Sequence, residues 1–289
     1  MRSIMKKSIA LLLSALTSTC IFAISWPQTP TTFAASFGQL RGGTICNSLI
    51  FEDSSEVTTV DNGKVVAIIS EHDDDMVWFE STLGNAVIVA HENQVCSVYA
   101  NLDANEIPAE IWSADDIDSG TTIGKSGNSN WHDKENALEF QMIDTKNQAM
   151  LNPRILLSKQ KSEADKIAIT GVTALSSKGE SYNFLVRRSL PAGTYKIYRD
   201  SQSDVSQYKT TVTVNGVAVE TISYDTLQQY KGRLCVSKKK FYPSEVIYPD
   251  DSRQLLAEVQ LTRGKINLAI IITDVFGNEK ATSFALDIN

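Results

Sequence analysis

The chain has 289 residues, 42% apolar and 21% charged, which is the composition of a globular protein long enough for two domains. Its formal net charge is −7, and the charge is uneven. Residues 26–160 hold 7 Lys+Arg against 20 Asp+Glu, or −13, whereas residues 161–289 hold 17 against 14, or +3. An acidic front half argues against nucleic acid or an anionic surface as its partner, because both would repel it.

The N-terminal stretch reads as a targeting segment. Arg2, Lys6 and Lys7 precede an apolar run over 9–23, and Ala23, Ile24 and Ser25 offer small residues for cleavage, so residues 1–25 are expected to be a signal peptide. The run is short for a membrane span and has no stop-transfer flank, which disfavours an uncleaved anchor. Thr19 makes a poor lipobox residue before Cys20, which disfavours a lipid anchor. The expected location is therefore exported, periplasmic or cell-envelope, with membrane contact only if the leader stays attached or is lipidated. Three cysteines then remain, Cys46, Cys96 and Cys235; buried thiols are expected, and a Cys46–Cys96 disulfide is possible but unsupported by spacing.

Residues 26–36 carry Pro27, Pro30 and no periodicity and read as a linker. A buried strand is expected over 44–51. Asp61-Asn62-Gly63 between two β-branched runs predicts a hairpin over 57–70. An acidic loop around His72 follows, then a short strand over 78–80 and longer ones over 86–90 and 96–102. Residues 105–120 form an acidic connection. Gly124-Lys125-Ser126 copies the end of a phosphate loop, but no glycine lies five residues before Gly124 and no helix pattern follows, so a tight turn is expected. A last strand over 137–144 and Asn152-Pro153 close a first domain, 37–160.

Beyond the charged stretch 158–166 the texture changes. Eight short apolar runs, at 167–175, 182–186, 193–198, 208–214, 217–224, 255–261, 266–273 and 282–288, are separated by turn signals such as Asn215-Gly216 and Gly277-Asn278. That spacing predicts a β-sandwich over 161–289, with a helix only possible near 223–232. The absence of a Cys…Trp…Cys frame excludes an antibody-type domain, but the final Asp-x-x-Gly-Asn hairpin fits an immunoglobulin-like one.

Several fragments of the first domain keep a shared order: Phe37-Gly38, Arg41, Gly84-Asn85-Ala86-Val87-Ile88-Val89-Ala90-His91, Tyr99-Ala100-Asn101-Leu102, Gly120-Thr121-Thr122-Ile123-Gly124-Lys125-Ser126-Gly127, Leu138-Glu139-Phe140-Gln141 and Asn152-Pro153. In this order residues 37–157 resemble the lysostaphin-type (LytM-like) peptidoglycan zinc endopeptidases. The resemblance implies an all-β fold: a duplicated-hybrid-motif antiparallel domain, followed here by the sandwich. It also implies where the chemistry would sit. The family's zinc ligands fall on Cys46, Ile50 and Glu139, and its two proton-handling histidines fall on Asn101 and Ala137. A hydrolytic zinc needs three protein donors and an open position for water. Ile50 donates nothing, and neither Asn101 nor Ala137 can act as a general base at neutral pH.

The expectation is therefore a degenerate member without cofactor or metal, a binding or regulatory protein rather than an enzyme. Its partner would be a peptidoglycan stem peptide or an envelope protein such as a cell-wall hydrolase, met in a groove near Tyr99, Asn101, Asn136 and Glu139. The alternative is a zinc-dependent endopeptidase with a rearranged site of Cys46, Glu139 and His132. A third option puts the contact on Arg187-Arg188 and Lys238-Lys239-Lys240 of the back half, facing an anionic wall polymer or a protein.

Overall fold

The computed structural model describes residues 24–29, 32–71, 79–130, 137–158, 167–202, 205, 207–236 and 240–289. Nearly all of its regular structure is strand, joined by short turns. The described residues hold two α-helical turns, Pro153–Leu156 and Ser244–Ile247, three short 3-10 turns, and no helix long and apolar enough to cross a membrane. Asn152 caps the first turn by accepting from Arg154 N, with Pro153 at the position where a missing N–H costs nothing.

The front half is built on one large antiparallel sheet. Its central strands are Gly63–Ile69, Asn85–Ala90, Val95–Leu102, Glu139–Asp144 and Ala149–Leu151, in that spatial order. Alternation along the strands sends Val87, Val89, Tyr99, Phe140 and Met142 into a core shared with Val57, Ile107 and Ile123. The opposite face carries small and aliphatic residues: Ala86, Val98 and Ala100, edged by Ile69, Leu83, Ile88 and Ile143. The hairpin predicted over 57–70 does not form. Glu56–Thr58 pairs with Thr122–Lys125, while Gly63–Ile69 pairs with Asn85–Ala90. Gly63 serves close packing instead: a Cβ there would lie 2.5 Å from Ala90 O.

Residues 26–36 are not a linker. Phe33–Ala35 pairs with Leu49–Phe51, Trp26 Nε1 donates to Ser158 O at 2.8 Å, and Trp26, Phe33 and Phe51 pack their rings together. Two prolines hid a segment held by aromatic packing rather than by periodicity.

The back half encloses its own core between two sheets. One runs Ser181–Asn183, Thr173–Ser176, Gly193–Asp200, Arg253–Leu261; the other runs Ser189–Leu190, Glu279–Ile288, Gly264–Asp274, Gln207–Val214, Val217–Ser223. Ala174, Ile197 and Ala257 from the first meet Val212, Ile270 and Phe284 from the second. The predicted turn at Asn215-Gly216 joins Gln207–Val214 to Val217–Ser223, with Asn215 at φ 51° and Gly216 at φ 81°.

The boundary expected at residue 160 is crossed by one sheet. Between Val217–Ser223 and Arg253–Leu261 the chain leaves the sandwich and adds Thr226–Tyr230, Arg233–Val236 and Tyr242–Pro243 to the front sheet. The joint is Ala149–Leu151 against Thr226–Tyr230, with Met150 opposite Leu227. The helix considered near 223–232 is therefore a strand. A third core forms at this seam, where Phe37 and Ile45 from the front meet Tyr198, Tyr224, Leu227, Val236, Tyr242 and Tyr248. Tyr248 donates to Gly38 O at 2.8 Å, and Asn152 Nδ2 donates to Tyr224 O at 3.0 Å.

Buried phenols crowd this seam, and Tyr99 stands in the front core, which sets an alkaline limit on stability. Burial pushes Tyr99, Tyr242 and Tyr248 well above the ordinary 10.0, and Glu220 adds to the shift of Tyr242. A folded-state pKa above the unfolded value means that stability is full below pH 10 and falls as pH rises beyond it. Tyrosinate absorbance followed together with circular dichroism should show these phenols ionising only as structure is lost. Ionisation of every tyrosine near pH 10 with unchanged dichroism would contradict the burial.

Candidate functional site

The five positions marked by the sequence do converge. Leu49–Phe51 and Val95–Leu102 flank Glu139–Asp144, so Glu139 stands opposite Ile50 on one side and Ala100 on the other. Asn101 follows Ala100 at the strand end, and Ala137 precedes Glu139 by two residues. Cys46 lies at the end of the tight hairpin of Leu40–Arg41 and Thr44–Ile45, close enough that Arg41 and Glu139 both act on its thiol electrostatically.

Glu139 is buried, at 7% exposure, and held from three directions. Asn130 Nδ2 donates to its Oε2 at 3.1 Å, Gln141 Nε2 donates to Oε1 at 3.1 Å, and Arg41 Nη1 lies 3.9 Å from Oε2. A cation and two amide donors thus compensate a carboxylate that burial alone would penalise. Ile50, 1% exposed, offers only hydrocarbon beside it.

Asn101 is fully buried at φ 63°, a left-handed conformation that Asn tolerates better than most residues. Its Nδ2 donates to Gly127 O at 2.7 Å and Ala137 O at 2.6 Å. Its Oδ1 accepts from Ser129 N at 2.7 Å and Asn130 N at 2.9 Å. One amide therefore ties the strand end to the 127–130 loop and to the start of the Glu139 strand. The same loop delivers Asn130 to Glu139.

Cys46 Sγ donates to Ser48 O at 3.4 Å and lies 3.5 Å from Ser48 Oγ. Burial pushes its thiol above the ordinary value, against the lowering pull of Ser48 and Arg41. Cys46, Cys96 and Cys235 are unbridged. These residues do not fit a hydrolytic zinc. The equivalents of the three ligands offer a buried thiol bonded to Ser48, a hydrocarbon that donates nothing and a carboxylate already engaged by Arg41 and two amides. Among the described residues no group of three or more His, Cys, Asp or Glu is placed to hold a metal ion.

Tyr99 does not line the groove expected for it. Ala100 faces the site, so its neighbour Tyr99 points to the other side, where it packs on Phe140 at 5.3 Å and accepts from Val60 N at 2.8 Å. His91 is engaged elsewhere: its Nδ1 lies 2.8 Å from Asn62 O and its Nε2 2.7 Å from Ser97 Oγ. Because a carbonyl only accepts, Nδ1 donates a proton to Asn62 O. Asn136, His72 and His132 lie outside the described residues, as do Lys238 and Lys239. The sequence reading missed Arg41, Asn130 and Gln141 as partners of Glu139. Strand alternation puts Gln141 on the face of Glu139 and was a usable signal; nothing local marks Asn130.

The family model for peptidase family M23 matches residues 48–153. Residues 48–153 belong to peptidase family M23. The M23 match begins two residues after Cys46 and contains the other four positions. A second family model matches residues 166–289. An uncharacterized protein of Treponema pallidum (strain Nichols) is 33% identical over 129 residues, covering 42% of this chain and 87% of its own, and the two share a family. Three solved structures resemble parts of the chain. They are a chain of the SpoIIIAH and SpoIIQ complex (18% identity, 45% of this chain and 96% of that one, TM-score 0.35), CbpA from L. salivarius REN (20%, 47% and 94%, 0.33), and the M23 metalloprotease pseudoalterin from the deep sea (11%, 77% and 98%, 0.30).

Proposed function

We propose that this chain is an exported M23-family protein that binds without cutting. It acts in the cell envelope on a peptidoglycan stem peptide or on an envelope protein such as a cell-wall hydrolase. The observation that carries this reading is Asn101. At the position where the resemblance expects a proton-handling histidine, an amide spends both its ends on the site's own backbone. It can neither take a proton from water nor turn toward a substrate without releasing the 127–130 loop. Beside it, the Arg41 guanidinium, its side chain 35% exposed and 3.9 Å from the buried Glu139 carboxylate, can meet the carboxylate terminus or carbonyls of a peptide.

The test is incubation of the purified chain with peptidoglycan sacculi, with and without added zinc. The expected result is co-sedimentation without release of soluble fragments, weakened by Arg41→Ala. Zinc-dependent release of cleaved stem peptides, lost in Glu139→Ala, would overturn the proposal and establish the rearranged zinc site instead.

A further inference from the structure

The end of the back domain that carries Ser189–Leu190 has a surface at odds with its surroundings. Leu185 is 69% exposed and Val186 85%, adjacent branched aliphatics in a fixed turn. Asn183 builds that turn: its Oδ1 accepts from Leu185 N at 2.8 Å, and its carbonyl accepts from Val186 N at 3.1 Å and Arg187 N at 2.8 Å. Phe184 roots it in the core against Phe284, ring centroids 5.2 Å apart. The aliphatics are therefore held outward rather than left over from a loose loop.

Cations surround them. Arg187 stacks over Tyr182 at 4.7 Å and Arg188 over Phe284 at 5.3 Å, which fixes both guanidinium groups beside the turn. Lys265 lines the same hollow of about 610 Å³ together with Ile266, Leu286 and a single acid, Asp287. Among the described residues none of these three cations forms an ion pair with a carboxylate. Val217, 67% exposed, stands at the same end of the sheet, where Asn215 beside it is bonded to Asn267 in both directions at 2.8 Å.

We propose that this end of the back domain docks on an anionic lipid bilayer. A soluble polyanion would satisfy Arg187, Arg188 and Lys265 but leave Leu185 and Val186 in water. A bilayer surface supplies a plane of negative charge for the cations and hydrocarbon just beneath it for the aliphatics. The charge asymmetry acts in the same sense. The front half, at −13 over 26–160, is repelled by such a surface, while the back half is drawn to it, so the molecule approaches sandwich first. The M23 domain then faces away from the lipid. This inference is independent of the proposed function of the Glu139 site.

Residues 24–289 hold all the described strands and cores, so vesicle sedimentation uses that chain, free of the apolar leader. Phosphatidylcholine vesicles are compared with vesicles that also contain phosphatidylglycerol. The expected result is binding to the anionic vesicles only, weakened by salt. Leu185→Asn with Val186→Asn is expected to lower partitioning about tenfold or more, because two aliphatic side chains no longer enter the lipid. Arg187→Ser with Arg188→Ser is expected to remove the preference for phosphatidylglycerol. All four positions are exposed enough that melting curves should confirm an intact fold. Three outcomes overturn the proposal: no binding to either vesicle, binding unchanged in the Asn double variant, or a wild-type dimer in solution that the same double variant abolishes.

Discussion

Expressed without the back half, residues 24–160 are expected not to melt as a cooperative unit. Truncation strips Thr226–Tyr230 from the exposed side of Ala149–Leu151 and leaves that strand's hydrogen-bonding groups open. It uncovers Phe37, now 1% exposed, and Ile45, now 2% exposed. Each such side chain is worth roughly 1.5–3 kcal/mol when buried. The partners of Gly38 O and of Asn152 Nδ2 go as well. The sum, about 5 kcal/mol, is comparable with the whole stability of an ordinary domain, roughly 5–15 kcal/mol. Differential scanning calorimetry and binding of a hydrophobic dye check this. A second arm keeps the chain whole and puts Leu227→Asp into the seam, where a carboxylate would sit against Met150. It should lower the melting temperature of the front half along with the back. A sharp, unshifted transition from 24–160 alone would show that the added strands are ornament.

The second large effect is expected at Asn101. Asn101→Ala leaves two carbonyls and two amides without their partner in a fully buried place. At about 1 kcal/mol or more for each orphaned group, the loss is about 4 kcal/mol. Ala also tolerates φ 63° less well than Asn, which adds to the cost. For a chain of this size the melting temperature should fall by roughly 10 °C. Asn101→Asp should be at least as damaging, because it would aim a carboxylate at the carbonyls of Gly127 and Ala137. Loss of order in the 127–130 loop would also free Asn130 from Glu139, visible as chemical-shift changes at both residues. An Asn101→Ala protein that melts like the parent would mean that the four hydrogen bonds are replaced by water at little cost.

These two predictions mark what the sequence could and could not reveal. Strands with strong alternation and clear turns were legible: Asn85–Ala90, Val95–Leu102 and the Asn215-Gly216 hairpin stand within a residue or two of where pattern placed them. Of the five positions marked through family order, Ile50 and Glu139 stand opposite each other and Asn101 bonds to Ala137. Pairing between distant strands was not legible. Nothing in Thr226–Tyr230 states that its partner is Ala149–Leu151 rather than a neighbour in its own sandwich. The Asp61-Asn62-Gly63 turn misled because its strands join different sheets, and Gly63 answers a contact with Ala90. Tyr99 misled because nearness in sequence to Asn101 says nothing about which face of the sheet a side chain takes.

The added strands also set an order of events. A ribosome delivers the front sheet first, yet its seam cannot close until residues 226–243 have followed, after much of the sandwich. Until then Ala149–Leu151 ends in an unpaired edge beside exposed Phe37 and Ile45. Such high sequence separation slows folding and prolongs the life of a sticky intermediate. The nascent chain is thus kept immature until its final third arrives, which leaves a long interval in which it can still be threaded or escorted before it locks.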